Sequence, residues 1–155
     1  MDPIARPTKE LLARYAEAFN RSKTLQYFGV RIDFPNGDRV VATIPQIRPE
    51  QRGGLGTSAV NGGVLAALFD LVIGCTPALL DPVRRTATMQ LSMSFERPVQ
   101  GDSLRAEARI DAHGKSILFA SAQIFDERGV ECARCQGVVR ISELPWQSEG
   151  SPAVN

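Results

Sequence analysis

The sequence predicts an α+β domain in which one antiparallel β-sheet wraps around a single long helix. Three observations carry this reading. One long apolar segment, NGGVLAALFDLVIGCTPALL, holds a single charged residue, Asp70, between Val64 and Cys75. Four β-patterned runs follow it with hairpin-length breaks, which makes them antiparallel neighbours. The sheet's apolar face needs cover and the helix needs burial, so one packing of the two satisfies both.

The elements follow in order. Thr8 precedes KELLARYAEAF, where Leu11, Leu12, Tyr15 and Phe19 recur at helical spacing, so a capped amphipathic helix is expected over about 8–20. FGVRIDF and RVVATI flank Pro35-Asn36-Gly37-Asp38, and Asn-Gly between β-rich runs signals a hairpin because both residues tolerate positive φ. Residues 46–57 read as a loop containing Gly53, Gly54 and Gly56. The central helix is expected over about 61–76, ended or bent by Pro77 and apolar nearly all round, hence buried. In TATMQLSMSF, Met89, Leu91, Met93 and Phe95 alternate with polar residues; Leu104, Ala106, Ala108, Ile110 and Ala112 do so in SLRAEARIDA. His113-Gly114 and the run Asp126 to Gly129 then turn the chain into KSILFASAQIF and VECARCQGVVRI. One domain is expected over 1–144, with a frayed tail over 145–155.

Bulk properties exclude several function classes. A length of 155 residues suits one domain with a sizeable core, and 43% hydrophobic with 23% charged residues describes a globular chain rather than a disordered one. The net charge of +1 provides no general field for nucleic acid or an anionic membrane. No apolar run reaches the roughly 18 residues of a spanning helix. The opening MDPIARPTKE lacks a signal peptide's apolar core, so a cytoplasmic protein is expected. Cys132 and Cys135 form C-x-x-C within a strand-like run, where residues three apart point to opposite faces unless a bulge intervenes. With no second pair and the only histidine, His113, elsewhere, packing cysteines are expected and no metal.

Two features can carry chemistry. An ionised Asp70 on an apolar helix is costly unless it is paired, hydrogen-bonded or facing a cavity, so it reads either as a salt-bridge partner or as a catalytic carboxylate. Asn61-Gly62-Gly63 at the helix start combines a good N-cap with two residues that let another molecule approach the backbone. Free N–H groups at the positive end of a helix suit a carbonyl oxygen gaining negative charge; a turn that merely needs glycine is the alternative. His113 lies at a turn and no G-x-S-x-G is present, which argues against a Ser-His-Asp or Cys-His hydrolase.

The segment GGVLAALFD resembles that of phenylacetate-degradation-type acyl-CoA thioesterases, a hotdog-fold subfamily in which His-Gly-Gly opens the central helix and an Asp follows seven residues after the second Gly. Gly63 and Asp70 keep that spacing. TMQLSMSFERPVQGDSL resembles the family's next strand and turn, and HGKSILFASAQIFDERGVECARCQG its closing hairpin, so the likeness covers roughly residues 55–141. The resemblance implies a hotdog fold and hydrolysis of an acyl- or aryl-acyl-CoA, with coenzyme A as part of the substrate and no separate cofactor. It implies that Asp70 activates water or attacks the thioester, that the Gly62 N–H is the oxyanion donor, and that the Thr88 hydroxyl positions water or carboxylate. Asn61 stands where the family has His, and an amide cannot exchange protons as imidazole does, though it can cap the helix or donate a hydrogen bond. Gly63, His113, Gly114, Lys115, Ser116 and Arg140 fall at positions implied to meet the substrate. Arg84 and Arg85 are further cations for the nucleotide phosphates, and Leu65, Phe69 and Met89 are candidates to border an acyl tunnel.

Geometry adds an expectation of its own. Gly62 and Asp70 are eight residues apart, about 12 Å along one helix. An oxyanion donor and an attacking group must each stand about 3 Å from the reacting carbonyl. The two should therefore come from different subunits of a homodimer, which in the family assembles into a homotetramer. Two other readings stay open: a non-catalytic acyl-CoA-binding protein, and an acyl-thioester hydratase or dehydratase.

Overall fold

Six strands form one antiparallel sheet in the order β1-β2-β4-β5-β6-β3. The computed structural model describes residues 6–146. The strands are β1 (Arg31–Asp33), β2 (Val40–Ile44), β3 (Arg84–Phe95), β4 (Leu104–His113), β5 (Ile117–Asp126) and β6 (Glu131–Pro145). The helices are α1 (Lys9–Asn20), α2 (Lys23–Phe28) and α3 (Gly62–Gly74). The sheet curls around α3, whose Leu65, Leu68, Phe69, Val72 and Ile73 are buried in the same core as Val40, Ala106, Leu118, Ile124 and Val139. This is the hotdog arrangement the sequence predicted.

Local chemistry accounts for most element ends. The Thr8 hydroxyl accepts the Leu11 N–H at 3.3 Å, capping α1 as expected. In the β1–β2 connection Asn36 and Gly37 both adopt positive φ, 59° and 68°. The short α2 was not legible, because six residues are too few for periodicity; Ser22 caps it, and Gly29, left-handed at φ 65°, ends it.

Three expectations need correction. First, α3 is not buried all round: Gly62, Gly63 and Asp70 are exposed and only the sheet-facing stripe is covered. It also stops at Gly74, with a 3-10 turn over Thr76–Leu79 that contains Pro77. Counted together, Gly62–Leu79 reach the length and hydropathy of a membrane span, contrary to the expectation from run length; 61% of that stretch is buried inside the fold.

Second, β3 does not alternate cleanly. Met89 is an extra residue between the pairs Thr88↔Val139 and Gln90↔Val138. The bulge switches the parity, so that Thr86 and Thr88 share the helix-facing side with Leu91 rather than opposing it. Met89 is 60% exposed, and Met93 and Phe95, near the end of this edge strand, also remain largely uncovered. A similar irregularity at Asp111 leaves Ala112 exposed, where simple alternation placed it inside.

Third, β6 and its contacts run past Leu144. Pro145 ends β6, and the Trp146 indole N–H donates to the Pro82 carbonyl at 2.6 Å while its backbone N–H meets Val83. The rest of the expected tail, 147–155, lies outside the described residues.

A bulge also sits at Cys132, between the pairs Ile124↔Ala133 and Phe125↔Glu131. Cys132 and Cys135 are both buried and free. Among the described residues no group of histidine, cysteine and acidic side chains could hold a metal ion.

Candidate active site

Asp70 opens onto a cleft of about 730 Å³ between α1, the C-terminal half of α3 and the start of β3, within the size range of small-molecule sites. On α3 and its C-cap the lining residues are Asp70, Leu71, Gly74 and Cys75, a stripe at i, i+1, i+4 and i+5 that follows one face of the helix. Opposite them, β3 contributes Thr86 and Thr88, and α1 contributes Tyr15, Ala18 and Phe19. The sequence posed Asp70 as either a salt-bridge partner or a carboxylate facing a cavity. It faces the cleft, and among the described residues it has neither a salt bridge nor a hydrogen bond.

The helix and strand that form the cleft are tied directly. The Thr86 hydroxyl donates to the Gly74 carbonyl at 2.8 Å, occupying an acceptor that the end of α3 leaves free. A Cβ at Gly74 would stand 3.3 Å from Thr88 Oγ1, so glycine lets the strand approach the helix here. Thr88 thus meets α3 at Gly74, four residues along the helix from Asp70, beside the bulge at Met89.

Tyr15 and Cys75, which line the cleft with Asp70, are largely buried. Burial pushes the Cys75 thiol up to about 12, the nearby Asp70 charge adds to the rise, and a hydrogen bond from Tyr15 opposes it. The Tyr15 hydroxyl donates to Cys75 Sγ at 3.6 Å, and burial, followed by Cys75, raises its pKa well above the ordinary value. Burial likewise lifts Cys135 to about 11, with the Asp70 charge again contributing.

The other predicted residues fall in two separate places. Asn61 caps α3: its Oδ1 accepts the Gly63 N–H at 2.8 Å and its amide donates to the Gly53 carbonyl at 3.0 Å. The side chain therefore clamps the glycine loop to the helix, a fixed structural task rather than proton exchange. The Gly62 N–H points out of the first turn with no acceptor among the described residues, and nothing lies within 4 Å of where its Cβ would be.

His113, Gly114, Lys115 and Ser116 form the β4–β5 turn, closed by Gly114 N–H to the Ile117 carbonyl at 2.8 Å. Arg140 pairs in register with Ile117, beside that turn. Arg84 and Arg85 line the Asp70 cleft instead, Arg84 held by Asp81 at 2.8 Å. Leu65 and Phe69 are core and Met89 is exposed, so none of the three borders the cleft.

Sequence reasoning missed Tyr15, Phe19 and Trp146 as cleft residues. Tyr15 and Phe19 had a signal, their i, i+4 spacing, but it reads equally as a core-facing stripe. Trp146 had none.

Comparison with known proteins agrees with this architecture. The model of the thioesterase superfamily matches residues 58–133. An inferred esterase of Deinococcus radiodurans is 28% identical over 118 residues, 75% of this chain and 72% of that protein. Another from Thermoplasma volcanium is 25% identical over 79 residues, 51% of this chain, and the match spans 59% of that relative's length. Among solved structures, the E. coli PaaI protein from the phenylacetic acid degradation operon superposes with a TM-score of 0.75 at 19% identity, covering 90% of this chain and 99% of that one.

Proposed function

We propose that this hotdog-fold chain is a thioesterase-superfamily protein that hydrolyses acyl-coenzyme A thioesters, with Asp70 as general base or nucleophile. The observation that carries the reading is Asp70 itself: an unpaired carboxylate that shares a cleft with Thr88 on this scaffold. In the general-base route Asp70 takes a proton from water as the water oxygen bonds to the acyl carbon. The C–S bond then breaks and the proton passes to the departing thiolate, leaving a carboxylic acid and free coenzyme A. In the nucleophilic route an Asp70 oxygen bonds to the acyl carbon first, expelling the thiolate, and water cleaves the resulting anhydride. Thr88 orients water or carboxylate in either case.

The oxyanion donor is the Gly62 N–H of a second copy of the chain. Within one copy the two groups lie eight residues apart on α3, about 12 Å along the axis. Edge strand β3, with Met89, Met93 and Phe95 uncovered, is the surface on which two copies pair, and such dimers associate further into a tetramer. Gly63, the turn from His113 to Ser116, and Arg140 meet the coenzyme A portion; no further cofactor is required. The location proposed is the cytoplasm.

Release of free thiol across a panel of acyl-CoAs, followed with a disulfide reagent, tests the reading. Turnover of at least one acyl-CoA is expected. Binding of acyl-CoA without thiol release would favour a non-catalytic binding protein, a reading to which the fully engaged Asn61 amide lends some weight.

A further inference from the structure

We infer that Leu55, on the glycine loop before α3, is a substrate-binding residue that lies over the bound thioester as an apolar cover. It is supplied by the same copy of the chain as the Gly62 N–H. This rests on the thioester-binding part of the reading above and adds a contact to that site. Among the described residues Leu55 is the large apolar side chain left most open, 107% exposed against 60% for Met89 and 50% for Phe95 on the edge strand. The residues around it hold it there. Gly53, Gly54 and Gly56 adopt φ of 117°, 143° and 79°, a backbone that residues with a Cβ rarely take. A Cβ at Gly53 or Gly56 would meet nothing within 4 Å, so these glycines serve the path of the loop and not a close contact inside the chain.

Two arguments join this loop to the reacting carbonyl. The first is attachment. The base of the loop closes on the start of α3: the Gly53 N–H donates to the Ala59 carbonyl at 2.9 Å, and the Asn61 amide donates to the Gly53 carbonyl at 3.0 Å. The same Asn61 side chain caps α3 through the Gly63 N–H at 2.8 Å, so loop and helix start move as one piece. Leu55 is two residues from Gly53, at most about 7 Å of chain. Wherever the Gly62 N–H meets a substrate oxygen, Leu55 therefore stands close by. The second argument is chemistry. A thioester sulfur and the carbons on either side of it carry no strong hydrogen-bonding group, so a leucine covers them without stranding a polar atom. The free leucine in turn loses its contact with water.

Thiol labelling tests the contact directly. The native cysteines are buried, so Leu55→Cys adds one open thiol. A disulfide reagent is expected to modify it rapidly in the free protein. Saturating S-butyl-coenzyme A, a thioether that cannot be hydrolysed, is expected to slow that reaction at least about tenfold. Adenosine bisphosphate, which carries the nucleotide end without the pantetheine arm, is expected to leave the rate unchanged. In the same series, Leu55→Ser should raise KM for the acyl-CoA best hydrolysed by about tenfold, with kcat nearly constant, because the contact is made in ground and transition state alike. Slow labelling of the free variant, or weaker dimerisation of Leu55→Ser with KM unchanged, would assign Leu55 to the contact between copies and overturn the inference. Equal labelling with and without bound thioether, or protection by the nucleotide alone, would overturn it too while the thioesterase reading stands. Labelling needs no turnover, so protection by the thioether without thiol release from any acyl-CoA would support the cover and remove the hydrolysis reading alone. A thioether that fails to bind would overturn both.

Discussion

The Thr86 hydroxyl donates to the Gly74 carbonyl at 2.8 Å and so staples the start of β3 to the end of the helix that carries Asp70. Thr88, two residues further along the strand, lies against Gly74 and lines the same cleft as Asp70. Thr86→Val keeps the shape and removes the donor. It is expected to lower stability by about 1 kcal/mol in a denaturant titration. It should also lower kcat more than it raises KM, because the change is in alignment rather than binding.

Asp70 makes no salt bridge or hydrogen bond among the described residues, so Asp70→Asn removes the proposed catalytic carboxylate without removing a structural contact. Turnover is expected to vanish while the melting temperature stays near the wild-type value. Gly62→Pro deletes the N–H of the first helical residue, a position where proline is well tolerated, and is expected to be folded and inactive. Each variant is expected to be inactive alone. Mixed and allowed to exchange subunits, they should recover about a quarter of wild-type activity, since half the dimers are mixed and each holds one intact site. Recovery of nothing would place the oxyanion donor elsewhere.

Asp126 provides a pH-dependent contribution to stability. The backbone N–H of Val130 at 2.9 Å, then the Arg128 side chain and backbone N–H, hold its carboxyl below the ordinary carboxylate range, against the opposing effect of burial. A depressed folded-state pKa stabilises the fold above the unfolded value, about 3.9, and that stabilisation is lost as pH falls through the folded value. Asp126→Asn should therefore be less stable than wild type at neutral pH. The two melting temperatures should converge as the pH is lowered below about 4.

The three cysteines should be silent in the native protein. All are buried and free, and burial raises the pKa of each, Cys75 to about 12 and Cys135 to about 11. A disulfide reagent at pH 8 is expected to label none rapidly in the folded chain and all three after denaturation. Fast labelling of the native protein would contradict the packing described for α3 and β6.

Much of the fold was legible because it is written in short-range patterns. Thr8 as a cap, Asn36-Gly37 as a turn, the apolar run through Asp70 and the alternation in β4 each depend on neighbours a few residues away. The bulge at Met89 was not, since a single extra residue is invisible until the partner strand shows which pairing skips it. Asp70 was visible as the lone charge on α3, but whether it met an arginine or open space depended on elements far off in the chain.

The sequence by itself determined an antiparallel sheet around one helix, with Asp70 and the Asn61-Gly62-Gly63 helix start as its chemical features. Only the tertiary structure decided that Asp70 faces a cleft, that Asn61 is occupied as a clamp, and that Tyr15 and Trp146 help form the cleft. The physical reason is separation along the chain. Helix periodicity and turn chemistry act over a few residues, whereas Tyr15, Asp70, Thr88 and Trp146 meet only once the sheet has curled and α1 has packed against it.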